Sequence, residues 1–139
     1  MSETIPVKLL LTSRQDGDEK VQRLRGNALL RGGAVYIRYN EPEPGHEGAQ
    51  TRTMLKITGE ELKIMRHGGV ESEQTFRSGR RLPGFYHSAL TRFQLSTDTV
   101  KLDSNLTHVT GVVNWEYDLY VYEECSGRFD ISLHIQEDV

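Results

Sequence analysis

One stretch, residues 62–79 (LKIMRHGGVESEQTFRSG), constrains the fold of this 139-residue chain more than any other. Side chains in a β-strand alternate between two faces, so Leu62 and Ile64 share a face with Arg66. After a pair of glycines the alternation resumes, with charged or polar side chains at the odd positions from Glu71 to Arg77. An alternating stretch on each side of a glycine pair predicts a β-hairpin with its charged face in solvent.

The length of the hairpin loop sets the register of the two strands. A two-residue turn at the glycines would pair Ile64 with Glu73, and apolar and charged residues would then share a face. A three-residue loop at positions 67–69 instead pairs Ile64 with Ser72 and Lys63 with Glu73, which keeps the two faces separate. We therefore predict the three-residue loop.

The remaining strands of the first half follow the same alternation. The first strand alternates from Ile5 to Leu11 and ends at a turn formed by Asp16 and Gly17. Two further short turns set registers that keep apolar residues on one side. The Gly32-Gly33 turn pairs Leu30 with Val35, Ala28 with Ile37 and Gly26 with Tyr39; a type II′ turn at Gly59-Glu60 pairs Ile57 with Leu62 and Leu55 with Ile64. Between these hairpins, the Pro/Gly-rich segment 41–48 is predicted to be a mobile loop.

The second half has one weak region and one strong hairpin. Residues 80–84 are predicted to form a loop, residues 85–97 one bent strand or two short strands, and Val100 the start of another short strand. In the hairpin that follows, odd positions are buried on both strands, and residues 124–127 lie in the connecting loop. Its inward residues are Val113, Trp115, Tyr117, Leu119 and Val121 on one strand and Phe129, Ile131, Leu133 and Ile135 on the other.

No segment has the sustained 3.6-residue apolar periodicity of a helix. The pattern predicts an all-β domain over residues 1–139, an antiparallel meander of eight to ten strands. Closing such a meander into a barrel removes its two edges, so we predict a barrel, with an open sandwich as the alternative architecture.

Composition limits the functional classes. The formal net charge of −3 argues against a general polyanion-binding protein, and we predict no nucleic-acid partner. The chain has neither a secretory signal nor an apolar stretch long enough to span a membrane, so we expect a cytoplasmic protein without a membrane partner. The single cysteine, Cys125, has no second cysteine with which to form an internal disulfide.

A family resemblance covers nearly the whole chain. The run from Met65 to Val70, followed by Gln74, Phe76 and Gly79, resembles the core motif of the YwiB-like family of small bacterial proteins of unknown function. Matches at residues 95–99, 106, 111–113 and 117–118 follow the order of that family, whereas residues 79–95 depart from it. The resemblance implies a calycin-like barrel, related in shape to lipocalins and fatty-acid-binding proteins. It implies no established activity, and it assigns no catalytic residues.

The predicted hairpin directs Arg66, Ser72 and Gln74 into the barrel, where polar groups need partners. One interpretation is a ligand site, in which Arg66 binds a carboxylate and Gln74 adds a donor and an acceptor. The alternative is that Arg66 extends into water at the barrel mouth while Ser72 and Gln74 bond internally. A set of aromatic residues could line the same interior or could simply fill the core; it comprises Tyr36, Tyr39, Trp115, Tyr117 and Phe129.

Motifs of other functional classes are absent from the sequence. The five histidines lack the spacing of a zinc site, so we predict no metal. There is no nucleophile elbow, phosphate loop or dinucleotide fingerprint, and we predict no cofactor and no catalytic residue. The arginines at positions 77, 80, 81 and 92 could hold an anion or a nucleic-acid phosphate, but no aromatic residue is interleaved with them, and a solvated loop is the preferred interpretation.

Three functional hypotheses follow. The first is a noncatalytic barrel that binds a small amphipathic or anionic molecule, with Arg66, Ser72, Gln74, Tyr39, Trp115 and Tyr117 as ligand-binding residues. The second is a structural or interaction module, such as a homodimer, that uses outward apolar residues at positions 10, 29, 120 and 122. The third is an enzyme whose catalytic residues come from separate strands, which would require a polar cleft.

Overall fold

Each strand pairs with its neighbours in sequence, and the last strand returns to the first, so that the sheet closes into a ten-stranded antiparallel barrel. This architecture comes from a computed structural model that describes residues 4–42 and 46–139. The strands are β1 (Ile5–Gln15), β2 (Asp18–Arg31), β3 (Ala34–Asn40), β4 (Thr51–Ile57), β5 (Leu62–Gly68), β6 (Val70–Phe76), β7 (Arg81–Ser88), β8 (Arg92–Thr107), β9 (Thr110–Val121) and β10 (Glu124–Glu137). The predicted meander and its closure are confirmed, and the ring leaves no place for an open sandwich.

The turns of the first half lie where the sequence predicts them. Gln15 pairs with Asp18 across the first turn, and Leu30 pairs with Val35 across the second. Ile57 pairs with Leu62 across the third, although Gly59 lacks the positive φ that a type II′ turn requires. Residues 43–45 of the predicted mobile loop lie outside the described residues.

The register of the β5–β6 hairpin differs from the prediction by two residues. Ile64 pairs with Gln74 rather than Ser72, and Lys63 pairs with Thr75 rather than Glu73. The predicted loop at positions 67–69 is wrong because β5 continues through Gly68, which pairs with Thr51 of β4. A shift of two preserves parity, so the face assigned to each residue is unchanged.

Two predictions for the second half are also wrong. Val100 does not begin a new strand, because β8 runs continuously from Arg92 to Thr107 with a bulge between Thr99 and Lys101 that leaves Val100 exposed. The last hairpin turns at Tyr122 and Glu123, which both have positive φ. Residues 124–127 therefore lie inside β10, where a second bulge absorbs the extra residue.

The predicted loop at 80–84 is mostly strand, since β7 begins at Arg81. Pro83 is tolerated there because β7 pairs with β6 only from Phe85 onward, so the proline removes no hydrogen bond on that side. In the gap between β6 and β7, the hydroxyl of Thr97 donates to the Thr75 carbonyl at 2.6 Å.

The apolar core fills one end of the barrel. Inward residues near the start of β1, the end of β2 and the β4–β5 turn are fully buried there, including Val7, Ala28, Ile57, Leu62 and Phe76. The opposite end contains the β5–β6 hairpin and the end of β3, and its inward residues are largely polar. The barrel is thus closed at one end and has a polar mouth at the other. Within the described ranges no helix is long and apolar enough to span a bilayer.

Candidate functional site

The mouth of the barrel encloses a cavity of about 400 Å3. It is formed where strands β1 to β6 place polar side chains at inward positions. Its lining comprises Leu11, Ser13, Lys20, Gln22, Tyr39, Glu41, Pro42, Thr53, Ile64, Arg66 and Gln74.

Arg66 does not extend freely into this cavity, because its guanidinium is paired with Glu41. Nε and Nη2 of Arg66 donate to the two carboxylate oxygens of Glu41 at 2.7 and 2.8 Å, the bidentate geometry that suits a planar guanidinium. The hydroxyl of Thr53 donates to the same carboxylate at 2.7 Å. The backbone N–H of Glu41 also donates to the Thr51 carbonyl at 2.8 Å, so both the main chain and the side chain of Glu41 are fixed.

This pair stays charged at neutral pH. Burial alone would raise the pKa of the Glu41 carboxyl, but the hydrogen bonds from Arg66 and Thr53 outweigh it and hold the pKa below its ordinary value. The hydrogen bonds from Arg66 to Glu41 raise the pKa of Arg66 against the opposing effect of burial. A carboxylate from outside must therefore displace Glu41 to reach the two donors that Arg66 already uses.

A second, deeper cavity of about 120 Å3 lies beneath the mouth. Leu11, Ser13, Tyr39, Ile64 and Gln74 line both cavities, so the deep chamber adjoins the mouth. Its remaining lining is apolar and aromatic: Leu24, Leu55, Phe76, Trp115, Tyr117, Ile131 and Leu133.

Two aromatic residues that line the deep chamber, Tyr117 and Trp115, each bury a polar group. Burial raises the pKa of the Tyr117 hydroxyl to about 12, although the nearby Gln74 side chain acts to lower it. The indole Nε1 of Trp115 is buried and has no hydrogen-bond partner among the described residues. An unpaired buried donor is costly, and this N–H is enclosed by protein rather than exposed to the chamber.

Phe76, which the predicted aromatic set left out, joins Trp115, Tyr117 and Phe129 in an interior aromatic cluster. Its ring lies 4.7 Å from Tyr117 and 5.9 Å from Trp115, centroid to centroid, and Tyr117 stacks on Phe129 at 5.3 Å. Tyr36 does not belong to this set. It occupies an even position of β3, whose odd positions point inward, and its ring lies on the outer surface.

Five of the six predicted ligand-binding residues line the two cavities. Tyr39 and Gln74 contact both, Trp115 and Tyr117 the deep chamber, and Arg66 the mouth. Ser72 is buried opposite Arg66 in the ladder, but it is not among the residues that line either cavity.

Glu41 is the important residue that the sequence interpretation missed, because it falls in the segment predicted to be a loop. The signal was present: Val35, Ile37 and Tyr39 point inward, and the alternation of β3 extends by one further step to Glu41.

The other candidate residues form no competing site among the parts of the chain that the structure describes. Arg77 pairs with Glu60 and Glu61, while Arg81 pairs with Glu123 and stacks on Tyr120. No group of three or more potential metal ligands occurs in residues 4–42 and 46–139. The mouth has no histidine among its described lining residues, and Glu41 is its only carboxylate there.

The outward apolar residues predicted for a dimer do not form one continuous surface. Leu10 of β1 pairs with His134, which pairs with Val112 of β9. Tyr120 lies eight residues further along β9, roughly 25 Å away at the rise of a strand. Homodimerisation remains a prediction.

Comparisons with known proteins agree with this fold. A family described as a domain of unknown function, DUF1934, matches residues 7–133. The uncharacterised β-barrel protein YwiB of Bacillus subtilis (strain 168) is 27% identical over 128 residues, covering 89% of this chain and 88% of that protein. The crystal structure of ywiB protein from Bacillus subtilis superposes with a TM-score of 0.78 at 22% identity, over 99% of this chain and 94% of that one.

Proposed function

Because the chain belongs to the DUF1934 family and has the closed barrel of its YwiB relative, we propose that its barrel interior binds a small amphipathic molecule. The apolar part of the ligand occupies the deep chamber and its polar part lies at the mouth. One observation supports this most directly: an apolar and aromatic chamber inside the barrel adjoins a polar mouth. Ligand sites commonly combine an apolar lining with a few fixed polar groups.

The volume of the chamber limits the apolar part of the ligand. An apolar protein cavity of about 150 Å3 is large enough to accept benzene. The chamber, at about 120 Å3, accordingly suits a single small ring or a short alkyl chain rather than a long lipid tail.

The mouth limits the polar part of the ligand. An anionic head group gains Arg66 only if it replaces the Glu41 carboxylate, whereas a neutral head group can bond to Gln74, Thr53 or Tyr39 while the ion pair stays intact. The two cases differ in whether binding releases Glu41. Ligands that share one tail but differ in head-group charge therefore distinguish them.

Trp115 provides the measurement, because it is the only tryptophan in the chain and it lines the chamber. We expect octanoate or 1-octanol, titrated separately, to shift its fluorescence in a saturable way. Ile64→Phe, which enlarges a side chain shared by both cavities, should weaken the response at least tenfold. Leu90→Phe makes a similar enlargement at a residue that is 80% exposed and should leave it unchanged.

Tighter binding of octanoate than of octanol, strengthened in Glu41→Gln and lost in Arg66→Gln, would indicate displacement of Glu41. Equal binding of the two would indicate a neutral head-group site. The proposed function would be wrong if neither ligand altered Trp115 emission, or if Ile64→Phe and Leu90→Phe responded alike.

A further inference from the structure

Charge is distributed very unevenly around the barrel. Residues 21–31 of β2, together with β3 and β4, contain six of the 17 lysines and arginines and none of the 20 aspartates and glutamates. The rest of the chain therefore has a formal net charge of −9. The modest net charge of −3 conceals one strongly basic part of the sheet.

The side chains of these strands form one continuous outer face. Outward residues pair across the ladders in rows: Asn27 with Arg38 and Met54, then Leu29 with Tyr36 and Lys56. These residues line an outer groove of about 590 Å3, together with Thr4, Arg31, Gly32, Ala34 and Thr58. The groove has no carboxylate among the side chains that line it in the described residues.

Among the described residues, five of the six cations on these strands have no carboxylate within 4 Å, and the sixth, Arg25, lies 3.6 Å from Asp138. Arg66, Arg77, Arg81 and Arg128 each lie within 4 Å of a carboxylate. Across the described ranges, no carboxylate lies that close to Arg23, Arg31, Arg38, Arg52 or Lys56 on the basic face. Unpaired cations side by side repel one another, and an added anion would relieve that repulsion.

An aromatic ring lies among these cations. Tyr36 is half-buried between Leu29 and Lys56, with Lys56 Nζ 6.0 Å from its ring centroid. Surfaces that bind single-stranded nucleic acid combine cations that follow the phosphates with an aromatic ring on which a base stacks. An acidic protein segment would satisfy the cations, but it has no base to stack on Tyr36.

We propose that this outer face of β2, β3 and β4 binds single-stranded nucleic acid. Arg31, Arg38 and Lys56 contact phosphates, and Tyr36 stacks on a base. This site is separate from the barrel interior and differs from the expectation of no nucleic-acid partner. That expectation came from the net charge and from the loop arginines, whereas the groove arises only when three acid-free strands are placed side by side.

The test is fluorescence anisotropy with labelled 12-nucleotide oligouridylate and oligodeoxythymidylate at low salt. Three phosphate contacts predict a slope of about −2 for log affinity against log salt. Arg38→Glu/Lys56→Glu should weaken binding more than tenfold, and Tyr36→Ala should weaken it about tenfold through lost stacking. Arg80→Glu/Arg92→Glu makes the same change of charge at exposed residues outside this face and should weaken it less than threefold.

Should the glutamate variant fail to fold, Arg38→Gln/Lys56→Gln must still weaken binding while the thermal midpoint stays unchanged. Equal weakening by the two double glutamate variants would overturn the proposal, as would no binding of either oligonucleotide at low salt. Competition by polyglutamate at matched charge, combined with no effect of Tyr36→Ala, would assign the face to an acidic protein instead.

Discussion

Glu41 and Arg66 lie 25 residues apart in sequence and form a bidentate ion pair at the barrel mouth. Each is partly buried, with 22% and 31% of the side chain exposed. Removing one partner would leave the other charge poorly solvated at the barrel mouth. The pair therefore contributes more to stability than the exposed ion pairs of the outer surface.

We expect Glu41→Gln to lower the free energy of unfolding at pH 7 by about 1 to 2 kcal/mol. The folded-state pKa of Glu41 lies below its ordinary value of 4.5, so its contribution is present above that pH and is lost as pH falls through the folded-state pKa. Urea denaturation at a series of pH values checks both points. The difference between the two proteins should be largest at neutral pH and should shrink below pH 4.5.

Glu19→Gln is the matched control, because Glu19 pairs with Arg14 at an exposed position. Its effect should stay within about 0.5 kcal/mol at any pH. A pH-independent loss in Glu41→Gln would contradict the assigned role of the carboxylate.

At the scale of residues, alternation along strands predicted the inward positions of Arg66, Gln74, Trp115 and Tyr117. This alternation could not predict which polar groups would form a pair. Glu41, the partner of Arg66, lies one residue beyond Asn40, the last paired residue of β3. Ser72 shows a second limit, since an inward face does not by itself place a residue in a cavity. Its face was predicted correctly, yet it is buried and lines neither cavity.

Among the elements, the β5–β6 hairpin owes its register to one glycine. Gly68 has a φ of 126°, and a Cβ built on it would lie 2.1 Å from the carbonyl oxygen of Gln50. Only a residue without a side chain lets β5 continue this far alongside β4. The N–H of Gly69 then donates to the same carbonyl at 3.0 Å.

We expect Gly68→Ala to destabilise the protein by about 2 kcal/mol or more, because the new methyl group clashes with main chain and the φ value is strained. Gly59→Ala is the control: nothing lies within 4 Å of its Cβ position and its φ is not positive, so its stability should be unchanged or slightly raised. Thermal and urea unfolding measure both variants. Equal stability of the two would show that β4 does not fix the end of β5.

Element boundaries were predictable where turns are short and lie between clear alternations. The Gly32-Gly33 and Asp16-Gly17 turns are examples. The register of the β5–β6 hairpin could not be predicted, because the hairpin sequence contains no information about contact between Gly68 and β4. Bulges in β8 and β10 were missed for a related reason: each changes the parity of the pattern partway through a continuous strand.

For the whole molecule, native mass spectrometry of protein purified without denaturation tests two expectations in one spectrum. The proposed function predicts a 15.9 kDa chain with an added small-molecule mass that is absent from Ile64→Phe. The dimer prediction requires a species of twice the chain mass at micromolar concentration. That species should be lost when Leu10 and Leu29 are replaced with serine. A bare monomer in the native protein would count against both.

Closure into a barrel could be predicted from the number and spacing of the turns, since an open ten-strand meander would leave two long edges. The unfilled part of the interior could not be predicted from the sequence. Its volume depends on how far the side chains of ten strands extend toward the barrel axis. The alternation along a single strand does not predict that distance. The basic outer face was also hidden, because net charge sums over the chain without regard to position.

The pairing of β10 with β1 has a consequence for how the chain folds. Nine of the ten ladders join consecutive strands, whereas this seam brings together residues as distant in sequence as Val7 and Glu137. The entropy cost of closing so long a loop must be met before the seam contributes any stabilisation, so ring closure should be late and rate-limiting. Until it occurs, β1 and β10 are two open edges with unpaired backbone groups. The waiting time before closure, more than native stability, then determines how long each new chain is exposed to aggregation.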